Sequence, residues 1–158
     1  MTERTEDDHS ALWERPGFLL RRLHQIHVSL FFEECSNITP VQYGLLSILI
    51  DSPPIDQLRL AEKLGVDRTN VGDVLDRLEK RGLVSRCANP ADRRMRLVTI
   101  TESGTEFVRT NYAAMQRAQA RLLEPLNEAD RSLLHDLLTR LVNGSNHHGR
   151  TSLRAHRD

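Results

Sequence analysis

"IDQLRLAEKLGVDRTNVGDVLDRLEKRGLV", residues 55–84, holds two helical periods separated by a glycine turn. Asp56 stands just ahead of the first period, where a short side-chain oxygen accepts from the free N–H groups of a first helical turn. Leu58, Ala61 and Leu64 then recur on one face, and Gly65 supplies a left-handed stop at little steric cost. Asp67 is placed to cap a second helix, where Val71, Val74, Leu75 and Leu78 keep the i, i+3, i+4, i+7 spacing of an inward face. Gly82 closes that helix. Two short helices around a brief glycine turn predict a helix-turn-helix.

Immediately downstream, "LVSRC" and "RLVTI" are β-capable runs joined by "ANPADRRM". Leu97-Val98-Thr99-Ile100 is rich in branched residues and Asn89-Pro90 forms turns, so the pair predicts a hairpin. A helix-turn-helix followed by a hairpin is a winged helix. The chain balances 22 Lys and Arg against 22 Asp and Glu, yet the hairpin region is lopsided. From Lys80 to Arg96 it carries Lys80, Arg81, Arg86, Arg93, Arg94 and Arg96 against Asp92 alone. The acids gather elsewhere, in Glu3, Glu6, Asp7 and Asp8 and again in Glu124, Glu128 and Asp130. A local basic patch on a neutral protein points to a polyanionic partner.

At the front of the second short helix, Arg68, Thr69, Asn70, Gly72, Asp73 and Arg77 lie off the apolar stripe. In a helix-turn-helix these positions enter the major groove, where Asn suits adenine, Arg suits guanine or a phosphate, and Thr meets a thymine methyl. Gly72 is expected to let the backbone approach DNA closely. The wing offers Arg93, Arg94 and Arg96 to phosphates and the electronegative minor groove. Asp73 and Asp76 oppose this reading, because a carboxylate repels phosphate unless it pairs with an arginine or accepts from a cytosine amine. The plainer alternative is a charge-laced protein-assembly module, with Arg77 and Asp73 as an i, i+4 pair and Asp92 holding Arg94. A polar helix front and a basic wing together favour DNA.

Around this unit lie longer helices. From about Glu14 to Cys35, Leu19, Leu23, Ile26 and Leu30 form one stripe and Leu20, His24, His27 and Phe31 another, predicting a helix buried on more than one side. Thr39-Pro40 reads as an N-cap and first helical position for a helix that "DSPP" ends. Thr101 opens a helix that Pro125 breaks, and Asn127 caps a last one bearing Leu133, Leu134, Leu137, Leu138, Leu141 and Val142. The fold expected is mainly α with a small β-hairpin wing. Its parts are an arm over 1–13, one domain over 14–142 and a tail over 143–158, arm and tail both disordered. Within the domain, residues 39–101 form the winged helix-turn-helix, flanked by dimerisation helices over 14–38 and 102–142. The last helix carries more leucines than one small layer needs, which predicts a homodimer addressing half-sites one helical turn apart.

"LAEKLGVDRTNVGDVLDRLEKRGLVSRCANPADRRMRLVTITESG", residues 60–104, resembles the core of the MarR family of bacterial transcriptional regulators. The likeness includes the aspartate-arginine wing signature and the start of the following helix at Ile100-Thr101-Glu102, and it extends over roughly residues 14–142. It implies a homodimeric winged-helix repressor on pseudo-palindromic double-stranded DNA, released by a small ligand. In family terms Asp92 orients the wing while Arg94, with Arg93, reaches the minor groove. Asp73 departs from the basic or hydroxyl residue often found there, which leaves the operator open.

"RPGFLLRRLHQIHVSLFFEEC", residues 15–35, resembles MarR-type repressors of aromatic-acid breakdown, including those answering hydroxybenzoates, cinnamoyl derivatives or nicotinates. That resemblance implies an effector pocket where the helices meet the reading lobe, with Arg21, Arg22, His24, His27 and Tyr43 as candidates. Arginine holds a carboxylate by paired hydrogen bonds, and neutral histidine donates or accepts toward a ring hydroxyl or nitrogen. The alternative for His24 and His27 is a core or interface role, and for Arg21 and Arg22 an ion pair across the dimer.

Cys35 and Cys87 form no C-x-x-C pair. Oxidant sensing needs an accessible thiolate near positive charge. Cys35 follows Glu33 and Glu34 and Cys87 is expected to alternate inward, so both are read as buried and inert. His147, His148 and His156 lack neighbouring ligands at metal spacing, and no cofactor or metal is expected. No glycine-rich phosphate loop, nucleophile elbow or metal triad marks an enzyme. No apolar run suits a membrane span and "MTERTEDDHS" is no signal peptide, so a cytoplasmic protein without a membrane partner is expected. The competing functions are an oxidant- or metal-sensing regulator of the same fold and a winged-helix assembly module.

Overall fold

The computed structural model describes residues 12–66 and 68–148, with the backbone alone for Arg68 and Thr69. Helix α1 (Pro16–Glu34) starts on proline, whose fixed φ suits a first helical position. Helix α2 (Pro40–Ile50) opens on a capping box: Thr39 Oγ1 accepts from Gln42 N at 3.1 Å, and Thr39 N donates to Gln42 Oε1 at 3.0 Å. Strand β1 (Ile55–Asp56) follows, then α3 (Gln57–Leu64), whose N-cap Asp56 accepts from Arg59 N at 3.0 Å. Gly65 ends α3 with φ at 70°. The expected capping residue Asp67 lies outside the described residues. Helix α4 (Arg68–Lys80), strands β2 (Val84–Ala88) and β3 (Arg96–Ile100), α5 (Glu102–Leu122) and α6 (Glu128–Ser145) follow among the described residues.

The winged helix-turn-helix closes around Leu45, Leu46, Leu49, Leu60, Ala61, Val71, Leu75, Leu78 and Val98, each at most 2% exposed. Full burial of one such leucine stabilises by roughly 1.5–3 kcal/mol. The inward stripe of α4 is therefore as its spacing predicts, with Val74 packed partly against the core. On α3 the expected face is off by part of a turn. Leu60 and Ala61 are buried and Leu64 partly so, whereas Leu58, one residue into the helix, is 45% exposed.

The wing is not a bare hairpin. β1, β3 and β2 form a three-stranded antiparallel sheet in that order, with Ile55 opposite Val98 and Asp56 opposite Leu97. A two-residue strand between Pro54 and a helix cap carries no periodicity, so it leaves no trace in the sequence. On β2, Val84 is buried and Arg86 half-buried, while Ser85 and Cys87 face out. The expectation that Cys87 alternates inward is corrected: Val84 sets the inward parity, which falls on Arg86.

Helices α1 and α5 pack side by side, joined by Arg117 to Glu34 at 2.8 Å and Arg121 to Glu33 at 2.7 Å. α1 was expected to be buried on more than one side; within this chain it is buried on one. Phe31 is buried, but Leu19, Leu20, Leu23 and Ile26 remain exposed. On α6, no residue is buried and Leu133, Leu137, Leu141 and Val142 are exposed.

The ends also differ from expectation. Trp13, assigned to a disordered arm, rests edge-on against Phe18 with ring centroids 4.7 Å apart. The disordered tail expected from Asn143 is corrected for its first residues, because α6 runs through Ser145 and Asn146–His148 form a 3-10 turn. The rest of the arm and tail, His156 included, lies outside the described residues.

The reading unit and α5 meet at one tight contact. Thr101 caps α5 by accepting from Gly104 N at 3.0 Å, donates from its hydroxyl to Gly82 O at 2.7 Å, and donates from its backbone N to Leu83 O at 3.1 Å. A Cβ on Gly104 would lie 2.1 Å from Leu83 O, a backbone atom with no room to yield. Gly104→Ala is expected to destabilise the protein by about 3 kcal/mol, as overpacking against backbone does. An unchanged urea-unfolding midpoint would show that the contact relaxes freely.

Candidate nucleic-acid interface

Helix α4 and the wing tip stand on the same lobe. Asn70, Asp73 and Arg77 project from α4 away from its buried stripe, and Asn70, Asp73 and Arg77 are all exposed. The side chains of Arg68 and Thr69 lie outside the described residues. At Gly72, a Cβ would sit 3.0 Å from Nε2 of Gln57 on α3, the far end of a flexible side chain.

At the wing tip, backbone groups are held by short local bonds. Asn89 Oδ1 accepts from Ala91 N at 2.9 Å, and Asn89 N donates to Met95 O at 2.9 Å. Asp92 Oδ1 accepts from Arg94 N at 3.0 Å, and Met95 N donates to Asp92 O at 2.9 Å. Asp92 thus binds the backbone of Arg94 rather than its guanidinium. It shapes the turn while leaving the arginine side chain outside. Arg93, Arg94 and Arg96 are all exposed and form no ion pair among the described residues.

The wing and α4 are joined by an ion pair that sequence spacing does not reveal. Arg86 on β2 places Nη2 2.6 Å from Asp76 Oδ1, donates from Nε to Glu79 Oε2 at 2.9 Å, and touches Glu79 through Nη2 as well. The hydrogen bond from Arg86 holds the Glu79 carboxyl below the usual carboxylate range, and Glu79 in turn keeps Arg86 firmly charged. Asp73 and Arg77, the alternative i, i+4 pair, form no such contact.

The five effector candidates do not converge. Arg21 stacks on Phe18, its guanidinium carbon 5.4 Å from the ring centroid, and Arg22 is exposed. Tyr43 is buried in the core, 6.1 Å from Phe31. Burial pushes its phenol pKa up. His27 lies 6.2 Å from Phe31 and 3.3 Å from Gln119 Nε2 on α5. Burial, and then the neighbouring His24, push the His27 pKa down. Only His24 lines a groove shared with the reading helix. That groove, about 430 Å³, runs between Val28 and Phe32 of α1, the start of α2, and Asn70, Asp73, Val74 and Arg77 of α4. The arginine that lines it is Arg77, supplied by α4, and neither Arg21 nor Arg22 does.

Cys35 is buried, and burial followed by Glu34 raises its thiol pKa, which keeps it unreactive. Cys87 is exposed, which corrects the reading of both cysteines as buried. No three His, Cys, Asp or Glu side chains cluster as a metal site among the described residues. No helix among them is long and apolar enough to cross a membrane.

Residues 38–95 match the model of the MarR family. The transcriptional regulator YdgJ of Bacillus subtilis is 33% identical over 115 residues, covering 73% of this chain and 70% of YdgJ. The PcaV regulator of Streptomyces coelicolor, in complex with its natural ligand, superposes with a TM-score of 0.80 at 30% identity, over 92% of this chain and 99% of PcaV. BpsR of Bordetella bronchiseptica, whose DNA binding is regulated by 6-hydroxynicotinic acid, superposes with a TM-score of 0.77 at 31% identity, over 81% and 93%.

The depressed pKa of His27 has a measurable consequence. The folded chain resists protonating this ring more than the unfolded chain does. Its contribution to stability is complete above about pH 6.5 and is lost as pH falls through the lower folded value. In His27→Gln, the fall of the unfolding midpoint between roughly pH 7 and 5 is expected to be shallower. A pH profile identical to that of the parent would remove His27 from this account.

Proposed function

We propose, from the premise that the chain belongs to the MarR family of transcriptional regulators, that it is a homodimeric repressor released from operator DNA by a small aromatic or N-heteroaromatic carboxylate. The observation that carries this reading is the shared groove. His24 stands on one wall, and Asn70 and Arg77, which read DNA on this view, stand on the other. An acid seated there pairs its carboxylate with Arg77, lays its ring on Val28, Phe32 and Val74, and meets His24 with a hydroxyl or ring nitrogen. Occupancy then withdraws Arg77 and Asn70 from the operator. The likeness to BpsR, a protein answering 6-hydroxynicotinic acid, supports the effector class.

The dimer follows from surface left over. Leu19, Leu23 and Ile26 of α1 and Leu133, Leu137 and Leu141 of α6 are apolar and wet in the single chain. A hollow of about 470 Å³ between α1, α5 and α6 adds Leu122, Leu126, Leu134 and Leu138. Apolar exposure of this extent is covered by a second copy. Two copies present their α4 helices to half-sites about one helical turn apart, with Arg93, Arg94 and Arg96 of each wing on phosphates and the minor groove. Such a regulator works in the cytoplasm, where the DNA is.

Arg94→Ala is expected to weaken binding to every duplex and to lower the magnitude of the log–log salt slope by about 1 per wing. Unchanged affinity would assign Arg94 to solvent. For the effector, hydroxybenzoates, cinnamates and hydroxynicotinates are compared by thermal shift and by release of bound DNA. The right acid raises the midpoint by roughly 5–10 °C at a hundredfold excess over its Kd, and His24→Ala and Arg77→Ala abolish the shift. Silence from all three classes, with DNA released by a thiol oxidant instead, would replace this reading by oxidant sensing through exposed Cys87.

A further inference from the structure

Helix α4 carries an electrostatic problem for a helix that faces phosphates. It bears Asp73, Asp76 and Glu79, as many acids as its bases Arg68, Arg77 and Lys80. Asp76 sits at the edge of the outward face and its side chain is half exposed. A bare carboxylate there repels an approaching backbone, and water screens that repulsion only in part at low salt.

Arg86 answers it from the neighbouring strand. β2 pairs with β3 through Arg86 opposite Val98, which aims the Arg86 side chain at the inward side of the sheet, toward α4. Its planar fork spans both carboxylates at once, 2.6 Å from Asp76 and 2.9 Å from Glu79, with the Arg86 side chain only 18% exposed. Lysine, a single point charge, has no equivalent two-sided reach. No other cation pairs with Asp76 or Glu79 among the described residues.

We infer that Arg86 is a positioning residue for operator binding: it cancels the charge of Asp76 and Glu79 on the reading helix and ties that helix to the wing, so that both meet the duplex as an attractive surface. This rests on the DNA-binding reading above. It differs from the role of the wing-tip arginines, since Arg86 touches no DNA itself. It also explains why Asp76, unlike the unmasked Asp73, does not count against a DNA partner.

The test uses the full chain and duplexes that the wild-type protein recovers from a random-sequence pool. Arg86→Met is expected to weaken binding about tenfold at low salt, with the deficit shrinking as salt rises. The combined Asp76→Asn, Glu79→Gln and Arg86→Met variant, which removes the acids together with their mask, is expected to return to within about threefold of wild type. If Arg86 acts only as a structural prop, the combined variant stays as weak as Arg86→Met, and the inference is overturned. Equal affinity of Arg86→Met and wild type overturns it as well. Should Arg86→Met fail to fold, Asp76→Asn with Glu79→Gln decides: freed Arg86 then tightens binding and steepens the salt slope, and unchanged or weaker binding counts against the mask. A wild-type protein that recovers no duplex sinks the DNA reading and this inference together, whereas recovery with an indifferent Arg86→Met sinks this inference alone.

Discussion

Everything in the lobe is referred to the junction where Thr101 and Gly104 meet Gly82 and Leu83. Gly82, with φ at 71°, ends α4, and the chain turns directly into β2. The Thr101 hydroxyl donates to Gly82 O while accepting from Gly104 N, so one side chain joins the end of the reading helix to the start of the next long helix. Thr101 N closes the same knot by donating to Leu83 O. Three elements thus share one fixed point: α4, the sheet that bears the wing, and α5. The approach at Gly104 is close enough that an added Cβ would lie 2.1 Å from Leu83 O.

Charge follows a similar economy. The acids of α1 are held by α5, with Glu34 bound to Arg117 and Arg121, and Asp76 and Glu79 of α4 are held by Arg86. Pairs whose partners are both exposed contribute little to stability, about 0–1 kcal/mol each, and in these one partner, Arg86 or Glu34, is largely covered. Their effect is on distribution. By occupying the carboxylates, they leave the wing arginines as the unpaired cations next to the reading helix, so a chain of zero formal net charge presents a basic face.

Helix α1 links the two halves of the proposed mechanism. One of its sides is apolar and exposed, the side proposed to meet a second copy, and another, at His24, Val28 and Phe32, walls the groove against α4. His27 lies between these sides, bonded to Gln119 and resting against Phe31. A small molecule in the groove would therefore touch α1 and α4 together. It has differential contact with any two arrangements of the lobe, which is what shifting their populations requires.

The amino-acid order by itself determined the helices, their caps and their stops. Thr39, Asp56, Thr101 and Asn127 cap where a short oxygen-bearing residue precedes an apolar period, and Gly65 and Gly82 stop helices where only glycine adopts positive φ at little cost. These are local interactions within four residues, so local spacing encodes them. The wing and its arginines were legible for the same reason. Tertiary structure alone decided which partners meet across the fold. It turned Cys87 outward and Arg86 inward, matched Arg86 to two acids seven and ten residues earlier, and added β1 to the sheet. It also set Gly72 near the Gln57 side chain and placed His24, of the five effector candidates, on the groove beside α4. Such contacts depend on strand parity, on helix crossing and on which face a neighbour covers. Those quantities exist only once the elements are packed.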